Sequence, residues 1–231
     1  MLMGSRVCPA RRDRQPFPMP HAGRVNNPEA TAQALELLRN GAAFQWYVIP
    51  MLALVMYIYG NEYANRNWKG IAAGLALYSV HWFAEIVNAL VQHFTDHALW
   101  TVPTGTSFLL LVGVGVELSL MFSVAGLVAS KFLPADPGMK ILGIPNRWAF
   151  AIGWAAFFAI FEIFLAMTPA FVWVYPWWGP LPVFVFVYIP FFLAAFLAYD
   201  WPPKRQVRLI GSLFAIDALM LVVFAGVLGW I

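Results

Sequence analysis

HWFAEIVNALVQHFTDH, residues 81–97, lies among apolar runs and yet holds three histidines, a glutamate and an asparagine. On a helix, Tyr78, His81, Glu85, Asn88 and Gln92 stand at offsets 0, 3, 7, 10 and 14. At 100° per residue they fall within about 80° of one another, which makes one polar stripe. On a membrane span such a stripe faces the bundle interior or a cavity, because lipid offers it no partners. His93 is turned about 120° from His81, near the outer end, and His97 falls in the following loop. The three histidines therefore do not form one cluster on this helix. The pairs His81/Glu85 and His93/His97 have the i, i+4 spacing of metal ligands, a weak signal alone, since a histidine at a helix end is more often a surface residue.

The surrounding composition decides which medium that stripe lives in. Of the 231 residues 61% are hydrophobic and 11% charged, where a soluble domain carries about a quarter charged. The chain is a membrane protein. Its formal charge of +3 is small and scattered, which argues against nucleic-acid binding. Six stretches approach the roughly 20 apolar residues of a spanning helix: 42–60, 70–94, 106–129, 148–169, 181–199 and 208–231. The expected fold is an all-α polytopic membrane bundle of about six transmembrane helices, with seven as the alternative count. Sheet is not expected, because an open edge in lipid leaves backbone groups unsatisfied.

Residues 1–27, rich in Arg and Pro, have no apolar core to make a signal peptide and read as a disordered or loosely attached tail. Met19 is an alternative start. Cys8, the single cysteine, reads as a free thiol without a role and excludes an intramolecular disulfide or multi-cysteine metal site. Residues 28–41 read as one short amphipathic helix, opened by Pro28 and closed by Arg39 and Gly41. Residues 42–231 form a single transmembrane domain. Arg66 and Lys69, then Lys131, Lys140 and Arg147, then Lys204, Arg205 and Arg208 occupy alternate loops. The positive-inside rule assigns those three loops to the cytoplasm. Parity then sends both termini outside, against the arginines of the tail.

All fourteen Lys and Arg residues lie outside the proposed cores, but four acids do not: Glu85, Glu117, Glu162 and Asp217. Each is about half a span deep, so they can meet in one layer. An ionised acid at the bilayer centre costs on the order of 3 kcal/mol on insertion scales. Either these acids are protonated and share hydrogen bonds, or His81 is their cation, or a metal is. The bland reading is polar glue between helices. Trp173, Tyr175, Trp177 and Trp178, in FVWVYPWWGP (171–180), read first as an interfacial belt and second as the cover of a pocket. Trp82, Trp154, Phe158 and Phe161 are available deeper in the bundle.

Phosphate-cradling loops, HExxH, GxSxG and paired Asp runs are absent from the sequence. What remains is buried acids, one inward histidine, aromatic faces and access for apolar molecules. A carboxylic acid sealed from water keeps its proton near neutral pH and can act as a general acid. Aromatic faces stabilise a nearby cation by about 0.5–2 kcal/mol each.

AEIVNALVQHF (84–94) resembles the tryptophan–glutamate motif, of the form WEIVYSLVYP, of the small membrane-bound terpene cyclases. These are the fungal meroterpenoid cyclases and the bacterial cyclases of drimane-type indole terpenoids. GVGVELSLMFSVAGLVASKFLP also looks like that family's third span and exit. Ala84 stands in place of the motif's tryptophan and Asn88 in place of an aromatic residue. The fungal members are drawn with seven spans. The resemblance implies protonation-initiated cyclisation of an apolar polyprenyl or prenylated substrate, with Glu85 and Asp217 as the acids. His81 would pass a replacement proton, Glu117 and Glu162 would complete the acid layer, and Tyr78, Trp82, Asn88, Gln92 and the 173–178 aromatics would contact substrate. It implies no cofactor and no metal.

Two other classes stay open at this stage. One is a metal-containing membrane oxidoreductase using His81, Glu85, Glu117, Glu162 and Asp217, since carboxylate and imidazole suit iron, manganese or zinc. The other is an accessory subunit of a larger membrane complex, or a homo-oligomer. Lipid is a partner in all three.

Overall fold

The computed structural model describes residues 25–231; the expectations for Cys8, Met19 and most of the N-terminal tail lie outside them. Seven helices follow in order: α1 (Pro28–Leu37), α2 (Val48–Ala64), α3 (Trp68–Thr95), α4 (Val116–Ser130), α5 (Asn146–Ala166), α6 (Pro180–Asp200) and α7 (Pro203–Val227). The fold is an all-α membrane bundle. Among the described residues α3, α5, α6 and α7 are long and apolar enough to cross a membrane.

Local chemistry explains the helix limits. Pro28 opens α1 with φ already set for a helix. The Asn67 side chain caps α3 by accepting from the Gly70 amide at 3.1 Å. Asp96, at φ 60°, ends α3 in the left-handed conformation common at helix C-termini. In α6, Pro190 has no N–H to continue the ladder, and a π turn occupies Phe184–Tyr188 just before it.

Helix α3 is the central post and packs against α4, α6 and α7. Its first half, GIAAGLA (70–76), carries small residues that let neighbours approach closely. Gly126 of α4 meets it with no room to spare: a Cβ there would lie 2.5 Å from the Ala73 carbonyl oxygen and 2.8 Å from Leu77 Cβ. Helices α4 and α5 both pack on α6 and meet each other through side chains, Phe122 lying 5.7 Å from Phe158 between ring centroids.

Three very short antiparallel ladders join the helices: β1 (Trp100–Thr101) with β6 (Val172–Trp173), β2 (Leu109–Leu111) with β3 (Val114–Gly115), and β4 (Lys140–Ile141) with β5 (Ile144–Pro145). Their presence corrects the expectation of no sheet. Strands of two or three residues leave few groups to satisfy, and each strand lies in a connection between helices, β1 and β6 in two different ones.

Two of the six expected spans are also corrected. Hydropathy starts the third at 106, but the chain turns at Gly105 (φ 76°) and forms the β2–β3 hairpin around Val112 and Gly113, and α4 starts only at Val116. At 1.5 Å per residue its 15 residues cover about 22 Å, short of the roughly 30 Å hydrocarbon layer. The first was drawn from 42, but a 3₁₀ turn at Gly41–Ala43 and a further turn delay α2 to Val48.

The basic loops converge at one end of the bundle. Lys131 pairs with Glu62, Arg147 makes a two-pronged bond to Asp200 at 2.7 and 2.8 Å, and Lys69 lies 5.8 Å from the Tyr199 ring centroid. The β1–β6 ladder closes the opposite end, with α1 laid against it through Ala98 N donating to Thr31 Oγ1.

The α3–α4 seam gives the first prediction. Gly126→Val should destabilise the bundle by about 1–3 kcal/mol through overpacking, read as a lower midpoint in thermal unfolding of the detergent-solubilised protein. An unchanged midpoint would mean that the seam is looser than described.

Candidate functional site

Of the acids that share a depth in the sequence, two line one cavity. Glu85 of α3 and Glu162 of α5 both face a cavity walled by Phe122, Phe158, Phe161, Phe171, Tyr188 and Phe191, with His81 and Trp100 beside them. Both acids are buried. No Lys or Arg lines the cavity. The open space is about 40 Å³, room for two or three waters at roughly 15 Å³ each.

Each carboxylate is held by an indole. Trp100 Nε1 donates to both oxygens of Glu85 at 3.2 Å. Trp173 Nε1 donates to Glu162 Oε1 at 2.6 Å, and the Tyr188 hydroxyl donates to Glu162 Oε2. Trp100 and Trp173 are direct partners in the β1–β6 ladder, and residues opposite each other in such a ladder project from the same face. A two-residue ladder thus aims two N–H donors at two acids on different helices. Trp178 stacks on Trp100 with centroids 5.8 Å apart.

Asn88, one turn beyond Glu85, locks the strand that carries Trp100. Its Nδ2 donates to the Trp100 carbonyl at 2.9 Å, and its Oδ1 accepts from the Leu99 amide at 2.8 Å. Gly113 fits against this assembly because it has no side chain: a Cβ would meet Asn88 Nδ2, Trp100 Nε1 at 2.5 Å and Glu85 Oε2 at 2.7 Å.

His81 is buried with its Nδ1 3.9 Å from Glu85 Oε1, too far for a hydrogen bond. Its Nε2 has no hydrogen-bond partner. Phe122 stacks on the imidazole at 4.3 Å and Phe191 meets it edge-on at 5.9 Å.

The remaining residues singled out in the sequence lie elsewhere. Glu117 is corrected from mid-span to the first turn of α4, where a helix N-terminus favours negative charge. It accepts from Tyr47 OH, from Thr106 Oγ1 at 2.6 Å and from the Ser107 amide at 2.7 Å. Asp217 is buried on α7, both oxygens lack a hydrogen-bond partner, and it is not part of the cavity lining. The expected common volume for Glu85 and Asp217 is therefore corrected: similar depth does not give a helix the same facing.

Tyr78 shares a hydrogen bond of 2.9 Å with Ser119 and stacks beside His81 at 6.2 Å. Trp82 packs edge-on to Tyr78, Gln92 lines a separate pocket with Arg39 and Trp230, Tyr175 bonds Thr95 at 2.9 Å, and Trp177 is exposed. Sequence pattern alone does not single out Trp100, Gly113 or Tyr188. Trp100 and Gly113 sit in stretches that read as loop or span, and the one available signal for Tyr188 was Pro190 disturbing α6. Among the described residues no group of three or more His, Cys, Asp or Glu is placed to hold a metal ion.

These features define a polytopic helical membrane protein with a two-carboxylate, aromatic-walled cavity. The chain belongs to an uncharacterized membrane protein family, matched over residues 28–226. An uncharacterized protein of Archaeoglobus fulgidus is 43% identical over 208 residues, covering 88% of this chain and 99% of that protein. A second, shorter uncharacterized protein of the same organism is 46% identical over 55 residues, 22% of this chain and 98% of its own length. No solved structure matches. These findings overturn kinship with the membrane-bound terpene cyclases. The motif behind that resemblance is short and apolar, and any helix that buries a glutamate among small and aliphatic residues reproduces much of it.

Gly113→Ala should prise apart the Glu85–Trp100–Asn88 contact. The expected cost is about 1–3 kcal/mol, measured by thermal unfolding, together with a changed tryptophan emission spectrum as Trp100 loses its acceptor. Parent-like stability and emission would contradict the close contact at Gly113.

Proposed function

We propose that the protein is an integral-membrane acid–base enzyme that rearranges a carbon–carbon double bond of an apolar, prenyl-type lipid. The observation that carries this is the pairing of Glu85 and Glu162 across one apolar, aromatic-walled cavity. Two carboxylates in such a volume cannot both ionise cheaply, so the pair retains a proton that can be given to substrate.

The roles follow from the hydrogen bonds. Glu162 accepts from two donors, Tyr188 OH and Trp173 Nε1, which suits the acceptor-only carboxylate. Glu85 has a single donor, Trp100, shared between its oxygens, and is the acid. Its O–H proton adds to one alkene carbon, the π pair becomes the new C–H bond, and positive charge develops on the other carbon. A weak acid manages this only where that carbon is tertiary, as in a branched isoprenoid chain. Phe122, Phe158, Phe191 and Tyr188 line the cavity, and a ring that turns its face to the cation stabilises it by about 0.5–2 kcal/mol. Glu162 then removes a neighbouring proton. Direct loss gives a shifted double bond; attack by a second alkene before loss gives a ring. Either way one proton enters and one leaves, without net oxidation. Glu85 regains its proton from cavity water, because His81 Nδ1, 3.9 Å from Glu85 Oε1, is too far to hand one over directly. The basic loops face the cytoplasm in this reading, and the acid cavity opens nearer the other surface.

The test uses membranes bearing the protein, suspended in deuterium oxide with branched polyprenyl alkenes. One solvent deuterium should appear in the rearranged product. Glu85→Gln and Glu162→Gln should each lower the rate at least 10²-fold, the lower range for general acid–base catalysis. Product without deuterium, or a Glu85→Gln variant at the parent rate, would refute the proposal.

A further inference from the structure

Two further pockets adjoin the cavity. Towards the β1–β6 end, Leu118, Leu165 and Phe171 separate it from a pocket of about 170 Å³ that also holds Thr104, Thr106 and Glu117. Its lining mixes these polar groups with Val102, Ala170 and Phe171. Towards the lipid, Met121, Phe158 and Phe161 separate it from a groove of about 340 Å³ between α4 and α5. The groove's other lining residues are Val124, Ala125, Val128, Trp154 and Phe157, none of them ionisable.

We infer that this groove is a lateral portal through which the hydrocarbon chain of a membrane-dissolved lipid enters from the bilayer and in which its tail rests during reaction. The inference builds on the acid–base function and adds the route and the chain. Three observations support it. The groove adjoins the acid cavity, because the same three side chains line both. Side chains and not backbone bridge it: α4 and α5 are held through α6 and meet through rings such as Phe122 and Phe158, centroids 5.7 Å apart. The cavity's own 40 Å³ cannot take a lipid chain, so the bulk of the substrate must lie outside it. Two of the three shared residues can move, whereas Phe158 is packed against Phe122, Tyr188 and Phe192. Phe161 is 52% exposed, rotamer changes of exposed side chains are fast, and Met121 is an unbranched, adaptable side chain. An occupant with a charged headgroup deep in the groove is disfavoured, since nothing there pairs with it.

The experiment is photolabelling of the full-length protein in liposomes with a diazirine-bearing farnesyl ether, mapped by peptide mass spectrometry. Saturable labelling is expected at residues 121–128 and 157–161, suppressed by excess unlabelled farnesyl ether. Val124→Trp should fill the groove and lower this labelling at least tenfold. Val128→Trp, at a position already 38% exposed, provides a second block should the first disturb folding. Glu85→Gln and Glu162→Gln should label like the parent, because chain binding does not need the acids. That separates the two claims: active Gln variants would remove the acid chemistry and leave the portal, whereas essential acids without groove labelling would remove the portal alone. Unsaturable labelling at equal strength on the exposed face of α7, or parent-level labelling in both tryptophan variants, overturns the inference.

Discussion

Everything near the centre of this bundle answers to one constraint: two carboxylates have been taken out of water and each must be given a hydrogen-bond donor. In lipid there is no solvent to repair an omission, and an unpaired buried polar group costs several kcal/mol. The solution is an antiparallel ladder two residues long. Trp100 and Trp173, opposite each other in it, reach Glu85 on α3 and Glu162 on α5. The ladder sets the spacing of the indoles and the helices set the spacing of the acids.

Other features become intelligible from there. Asn88 spends its amide on the strand that carries Trp100, so an α3 side chain fixes the partner of the glutamate one turn away. Gly113 keeps the hairpin from pushing those groups apart. The π turn in α6 ends at Tyr188, whose hydroxyl completes the shell of Glu162; such turns recur at functional sites. The cavity is rigid where donors meet acids and soft where Met121 and Phe161 face the groove. That division suits a site that holds its acids still while admitting a chain.

The sequence reveals much of this and hides the rest for physical reasons. The inward stripe could be read because helical geometry fixes which residues share a face, and His81, Glu85 and Asn88 are all buried. Glu162 could be proposed from depth. Depth misled for Glu117, since the turn at Gly105 and the β2–β3 hairpin break what hydropathy reads as a continuous span. It misled for Asp217 too, because it specifies height along a helix and not the side on which the residue faces. Trp100 was invisible, as its role depends on pairing with a strand some seventy residues away, and no local pattern announces that. The aromatic run 171–180 divides by direction: Trp173 and Trp178 turn to the site while Trp177 stays exposed. The span-two motif shows the limit of short apolar matches, which can share an acid on a helix without shared descent.

The central claim is that Glu85 and Glu162 hold a proton between them in an apolar cavity, under the two indoles. Infrared difference spectroscopy of the purified protein in lipid, parent against Glu85→Gln at neutral pH, observes that proton directly. The account predicts that the parent shows a protonated carboxyl C=O band that disappears in the variant and shifts in Trp100→Phe, where the donor to Glu85 is removed. A parent spectrum in which Glu85→Gln removes only an ionised-carboxylate band, with no protonated carboxyl signal, would contradict it.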